Sequence, residues 1–318
     1  MKDLESIGDE IRAVADYSRA ERIEKGFSFE EKYLLSGTGE KRYIARVSPA
    51  GGEEEIRRKK TEFEIIRTLH GFSTIVPEAY SFGLSRDGES CYMILEYMEG
   101  TDLEEAMLHF SKDEQYEIGL QAGRELLSLH RLDAPPMSLK WHERYSLKYA
   151  RKCQRFDEWG IDPGRIDMDQ LSRFISGNEQ YMKCRRETFQ HDDYHPANLI
   201  VNGGRLAGII DFNRHDWGDP VHDFVKTAYF SSAISVSFSA GQIDGYNGGK
   251  HSEEFWKKYS LYAAMVMIQD MVWSHWYAGQ TGSPDEVGRM RERVSRVWSD
   301  HDCFEDVIPG WYQDFKGL

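Results

Sequence analysis

The stretch His191-Asp192-Asp193-Tyr194-His195-Pro196-Ala197-Asn198, followed by Ile210-Asp211-Phe212, decides how this chain is read. Between the two lies Val201-Asn202-Gly203-Gly204, a strong hairpin turn because paired glycines reach the positive φ that such a turn needs. A hairpin returns the chain to where it started. Asn198, opening the first strand, and Asp211, closing the second, are therefore expected at one open end, with Asp193 on the loop that feeds it. Two carboxylates and an amide oxygen converging there form a hard-oxygen set. Such a set suits Mg²⁺, which takes one or two carboxylates and fills its shell with substrate phosphates.

The spacing H-x-D-x-x-x-x-N followed by I-D-F resembles the catalytic and metal loops of the kinase fold. With Gly218-Asp219-Pro220-Val221-His222-Asp223 downstream, the chain resembles the aminoglycoside phosphotransferase family, which includes choline-, fructosamine- and methylthioribose-kinase-like relatives. The resemblance spans about residues 20–280, with its specific motifs inside 191–223. It implies an α+β, bilobal protein-kinase-like fold, ATP or GTP as cosubstrate, and Mg²⁺ as cofactor. By the same resemblance Asp193 is the catalytic residue, orienting the acceptor hydroxyl or taking its proton, and Asn198 and Asp211 are the metal ligands. His191 would brace the loop, and Asp219 and Asp223 would fix it through buried hydrogen bonds.

Outward from these motifs the chain changes character once. Residues 3–21 carry Leu4, Ile7, Ile11 and Val14 at helical spacing and predict an amphipathic helix. Residues 31–35 and 42–47, joined by Ser36-Gly37-Thr38-Gly39, predict a hairpin. A helix over 53–70, stopping at Gly71, and strands over 79–84 and 91–97 complete a sheet-rich first part. Beyond Gly100 the period turns helical. Ile118, Ala122, Leu126 and Leu129 share a face, and further helices are predicted over 143–158, 166–184, 252–278 and 284–299. The only strands expected in that half are 198–201 and 205–210. The expected division is an N-terminal nucleotide-binding lobe (1–99), with an antiparallel sheet and one helix, and a larger, mainly helical catalytic and acceptor-binding lobe (100–318).

The resemblance assigns the nucleotide contacts to the first lobe. Lys25-Gly26-Phe27-Ser28 resembles the phosphate-covering loop, so Gly26 and Ser28 become candidates. Arg46, in Arg42-Tyr43-Ile44-Ala45-Arg46-Val47, occupies the position where kinases carry a phosphate-gripping lysine; its forked guanidinium keeps the charge but not the shape. Glu62 shares a helix face with Ile66 and Leu69, and a carboxylate on an apolar face wants a cation. It resembles the partner of the strand cation. Glu96 and Met98 in Ile94-Leu95-Glu96-Tyr97-Met98-Glu99-Gly100 would offer backbone groups to adenine. No segment satisfies G-x-x-x-x-G-K-[ST], which excludes a Walker loop.

A formal net charge of −14 argues against a nucleic-acid partner. The longest apolar run, residues 261–268, is too short for a membrane span, and no signal peptide is visible, so a cytoplasmic protein is expected. Cys91, Cys153, Cys184 and Cys303 form no C-x-x-C pair, which disfavours a disulfide framework or structural zinc. The short span from Asp211 to Gly218, with no A-P-E motif after it, favours a small-molecule acceptor over a polypeptide. Asp270, Trp273, Trp276, Asp302, Glu305 and Asp306 are candidates to line its pocket. The acids of Asp300-His301-Asp302-Cys303-Phe304-Glu305-Asp306 point to a cationic hydroxylated acceptor such as an aminoglycoside antibiotic, and so to a role in antibiotic resistance. A metabolite kinase for choline or an amino sugar is the alternative. Two other readings compete: a zinc hydrolase built on His191, Asp193, His195, His215 and His222, and a nucleotide-binding pseudokinase.

Overall fold

The computed structural model describes residues 7–24, 30–39, 41–282 and 285–318. Its contacts divide the chain into a first unit of residues 1–102 and 198–213, and a second of 103–197 and 214–318. The hairpin bearing Asn198 and Asp211, assigned from sequence to the second lobe, thus groups with the N-terminal sheet. Backbone pairing is the reason: Thr101–Asp102 pairs with the hairpin, and Ile209 N–H donates to the Ile75 carbonyl at 2.8 Å.

In the first unit, β1 (Arg19–Ile23), β2 (Glu31–Ser36), β3 (Arg42–Pro49), β4 (Ala79–Leu84) and β5 (Ser90–Glu96) form an antiparallel sheet in the order β1-β2-β3-β5-β4. Side chains alternate across it. Tyr33, Leu35, Ala45, Val47, Tyr92 and Ile94 line one face and bury Ile7, Ile11 and Ala15. The opposite face receives the helix Glu53–His70, whose Phe63 ring packs 5.9 Å from Phe82 on β4. That helix suits its place: three glutamates open it and Arg67 and His70 close it, matching the helix dipole.

The N-terminal expectation needs correction. Only Gly8–Arg12 of the described residues in that segment is α-helical, and residues 19–23 form β1 instead. Ile7 and Ile11 keep the helical period, but Val14 is 37% exposed and Ala15 takes the buried position. β1 is a charged edge strand, almost wholly exposed, so it carries no apolar alternation to read. Leu4 lies outside the described residues.

The hairpin strands β8 (Leu199–Asn202) and β9 (Arg205–Ile209) pair with each other, and β8 also pairs with the short strand β6 (Thr101–Asp102). Gly203 and Gly204, with φ of 58° and 76°, make the turn expected between them.

The second unit is mainly helical. Its helices Lys112–Leu129 and Val236–Asn247 approach through glycines on both sides: a Cβ at Gly119 would fall 2.2 Å from the Phe238 carbonyl oxygen, and one at Gly123 2.1 Å from that of Gln242. Helix Val236–Asn247 was not predicted, since it is buried on nearly every side and shows no amphipathic stripe. Also unpredicted are β7 (Thr188–Gln190) and β10 (Asp216–Gly218), which pair antiparallel and are too short to show a period. The helices Trp141–Glu158, Glu253–Thr281 and Asp285–Asp300 fall where the pattern predicts. The expected 166–184 helix is α-helical only over Met168–Asn178, followed by a tighter 3₁₀ turn.

Candidate active site

Arg46 on β3 stands directly across from Lys32 on β2 and Met93 on β5. Its guanidinium enters a buried cluster. Nε donates to Glu30 Oε2 at 2.7 Å, Nη2 lies 2.6 Å from the same oxygen, and Nη1 donates to Glu62 Oε1 at 2.6 Å. Lys59, one turn before Glu62, pairs with Glu30 Oε1 and lies 3.8 Å from Glu62 Oε2. Two cations and two carboxylates, each at most 7% exposed, therefore cancel. Such a cluster holds only if complete, because a lone buried charge costs several kcal/mol, about 3–5 when one partner is removed. Arg46 and Glu62 are thus brought together as the sequence suggests. Glu30 and Lys59 were missed, although the i, i+3 spacing of Lys59 and Glu62 was visible.

Asn198 and Asp211 meet at the open end of the β8–β9 hairpin, where Ile210 N–H donates to the Asn198 carbonyl at 3.0 Å. Asp211 follows with φ of 66°, a left-handed conformation unusual outside glycine but tolerated by aspartate. The kinase-like fold implies Mg²⁺, and this donor set fits it: one carboxylate and one amide oxygen, both hard donors. Asn198 and Asp211 are the residues that would hold it.

The second unit carries the loop of Asp193. Asp223, fully buried, fixes that loop by its backbone: Oδ2 accepts from His191 N–H at 2.9 Å and Oδ1 from Asp192 N–H at 2.6 Å. His130 Nε2 reaches Asp223 Oδ2 at 2.9 Å. Asp192 itself adopts φ of 57°, so the loop is bent at the residue before Asp193. Asp219, also fully buried, accepts from Val221 N–H at 3.0 Å and Tyr262 Oη at 3.1 Å, and pairs with Lys258 at 2.8 Å. Asp223 thus bonds the Asp193 loop, as the resemblance implies, whereas the Asp219 carboxylate bonds Val221, Tyr262 and Lys258 and not that loop.

Asp193 Oδ1 lies 2.8 Å from Lys226 Nζ and 3.5 Å from His195 Nε2, and Oδ2 lies 3.8 Å from Arg214 Nε. Burial opposes ionisation of this carboxyl, but the His195 hydrogen bond and the Lys226 ammonium outweigh it and hold the group far below the ordinary carboxylate range. Asp193 is therefore placed to accept hydrogen bonds as a carboxylate at neutral pH. Lys226 opens a π-helical turn at Thr227–Ser231 and was not foreseen; nothing in its local sequence marks it.

The remaining candidates scatter. Gly26 and Ser28 lie outside the described residues. Glu96 closes β5 and accepts from Glu78 N–H at 3.1 Å, while the Met98 side chain packs over Gly208 of β9. His222 contacts Tyr145 Oη at 3.1 Å and Asp192 Oδ1 at 3.2 Å, and His191 is fully buried with its ring edge-on to Tyr194. Among the described residues no group of three His, Cys, Asp or Glu side chains is arranged to hold a metal, which leaves the zinc hydrolase reading without a site. Asp270 is tied to Arg293 at 2.9 Å, and Glu305 accepts from Gln170 at 3.0 Å. Trp273 stacks on Tyr277 with centroids 5.0 Å apart. No helix among the described residues is long and apolar enough to cross a membrane.

A sheet with one helix, a hairpin bearing two oxygen donors, and a loop presenting an ionised aspartate define the protein-kinase-like fold of small-molecule phosphotransferases. The phosphotransferase enzyme family model (APH) matches residues 19–256, and the chain belongs to that family. It is a small-molecule phosphotransferase by class. Among curated proteins none matches. Solved structures support the fold. The GDP complex of aminoglycoside 2'-phosphotransferase-IIIa superposes with a TM-score of 0.68 at 17% identity, covering 95% of this chain and 100% of that one. The streptomycin–ATP ternary complex of APH(2")-IIa gives 0.60 at 15% identity, over 91% and 95%. A thermostable mutant of APH(4)-Ia with AMP-PNP and hygromycin B gives 0.56 at 14% identity, over 91% and 96%.

Proposed function

We propose that this enzyme moves the γ-phosphoryl group of ATP or GTP to a hydroxyl of a small molecule, with Mg²⁺ bound by Asn198 and Asp211. The carrying observation is the placement of Asp193. Its carboxylate lies 2.8 Å from Lys226 and 3.5 Å from His195 on a loop whose backbone Asp223 fixes. A carboxylate so placed can orient the attacking hydroxyl by accepting its hydrogen bond and receive its proton as the bond to phosphorus forms. The Mg²⁺ ion would neutralise charge on the phosphate oxygens.

For the acceptor, an amine-bearing aminoglycoside is the first reading, since related folds are solved with gentamicin, streptomycin and hygromycin B. The acids at Asp302, Glu305 and Asp306 are exposed and favour a cation. One observation favours a neutral or anionic metabolite instead: Asp270 and Glu286 are both engaged by Arg293, and Lys226 and Arg214 flank Asp193. Incubating hydroxylated amines, sugars and antibiotics with Mg·ATP or Mg·GTP, and reading mass gain of one phosphate, tests both. A charged acceptor would lose affinity with salt and a neutral one would not, and the charge of the phosphorylated compound separates a cation from an anion. Finding no acceptor and no nucleotide turnover would contradict the proposal.

A further inference from the structure

Asp192, the residue before Asp193, sits in the left-handed region at φ of 57°. That conformation costs any residue with a Cβ energy that glycine does not incur. Asp223 Oδ1 accepts from the Asp192 N–H at 2.6 Å, which fixes the peptide but not the side chain. The side chain leads to a buried relay. Asp192 Oδ1 lies 3.2 Å from His222 Nδ1, and that buried nitrogen makes no in-line hydrogen bond to any other group among the described residues. His222 stands in a box of three rings, with centroids 5.2 Å from Trp141, 5.0 Å from Tyr145 and 5.3 Å from Tyr262. Its Nε2 meets Tyr145 Oη at 3.1 Å, and Tyr145 Oη accepts from Gln269 Nε2 at 2.8 Å. The donors then run in one direction. The Gln269 amide nitrogen can only donate, so the Tyr145 hydroxyl keeps its own proton for His222 Nε2. A neutral imidazole that accepts at Nε2 carries its proton at Nδ1, the nitrogen facing Asp192. All of these residues belong to the second unit, where helices Trp141–Glu158 and Glu253–Thr281 thereby reach the bend before Asp193.

We infer, resting on the phosphotransferase reading above, that Asp192 and His222 are positioning residues for Asp193. The Gln269–Tyr145–His222 relay steadies the Asp192 carboxylate, and Asp192 in turn holds the left-handed bend that aims Asp193. Asp192 itself needs no contact with nucleotide, metal or acceptor in this role. Its side chain matters only through the bend, so a residue that bends unaided makes the relay dispensable.

Steady-state turnover of Mg·ATP with the compound that gains a phosphate in the panel above tests this, alongside calorimetry with Mg·ATP and thermal unfolding of the full chain. Asp192→Ala should lower kcat about tenfold, equivalent to about 1.4 kcal/mol, with KM and Mg·ATP affinity near the wild type. Asp192→Gly should regain most of that loss, because glycine reaches a φ near 57° freely. His222→Phe keeps a ring in the box but removes Nδ1. It should lower kcat in the wild-type background and not in Asp192→Gly, a non-additivity that marks one shared path. A packing role alone for His222 would lower both backgrounds alike. Asp192→Gly as slow as Asp192→Ala, or additive losses in the double variant, would overturn the positioning role and leave the phosphotransferase reading intact. A wild-type chain that phosphorylates no compound and turns over no nucleotide would overturn both.

Discussion

Lys226 Nζ lies 2.8 Å from Asp193 Oδ1, and both side chains are largely shielded from solvent. The pair joins the loop after β7 to a π-helical turn thirty-three positions further along the chain, so the ionisation of Asp193 depends on tertiary structure. Removing the ammonium leaves burial, which favours the neutral acid, opposed by His195 alone of these two partners.

Lys226→Met should therefore raise the Asp193 pKa and move the acid limb of the turnover–pH profile toward neutrality. In the wild type the carboxyl is depressed, so its contribution to stability is present above the ordinary carboxylate range near pH 4 and lost as pH falls through the native value. Turnover of Lys226→Met at pH 5.5 relative to pH 8 checks this. A profile superimposable on the wild type would remove Lys226 from the account.

Asp223→Ala should destabilise the fold by about 3–5 kcal/mol, as expected when a buried, hydrogen-bonded carboxylate is removed from its partners. Two backbone N–H groups, of His191 and Asp192, would lose their acceptor. Denaturant unfolding gives the energy. Turnover measured well below the unfolding temperature should fall as well, because the bend preceding Asp193 is no longer held.

Gly123→Ala separates packing from chemistry. Its Cβ would fall 2.1 Å from the Gln242 carbonyl and 2.5 Å from Tyr246 N, so helices Lys112–Leu129 and Val236–Asn247 must move apart. Overpacking of this kind costs about 1–3 kcal/mol, or roughly 2–10 °C in unfolding temperature. Scanning calorimetry should show that loss, with nucleotide affinity little changed.

The sequence made the site legible where chemistry and backbone geometry coincide. Asn198, Gly203-Gly204 and Asp211 could be placed at opposite ends of one hairpin because a two-glycine turn has few solutions. Asp223 was legible through its motif, and it does fix the loop. Lys226, Glu30 and Lys59 were not, since a charged residue that finds its partner through tertiary folding looks like any surface charge in sequence. The same limit hid helix Val236–Asn247 and the edge strand β1. One is buried on almost all sides and the other exposed on almost all, and periodicity needs a contrast between faces. The misread 3–21 helix is that failure in its plainest form.

The central claim divides labour between two aspartates, and one paired measurement tests it most directly. Mg·ATP binding by calorimetry and phosphate transfer to the acceptor found by mass spectrometry would be measured on Asp193→Asn and Asp211→Asn. Asp193→Asn should retain nucleotide affinity near the wild type and lose about 10²–10⁴ in turnover. Asp211→Asn should lose the Mg²⁺-dependent part of nucleotide affinity, and turnover with it. Full transfer by either variant, or Asp193→Asn failing to bind Mg·ATP while Asp211→Asn binds it normally, would contradict the account.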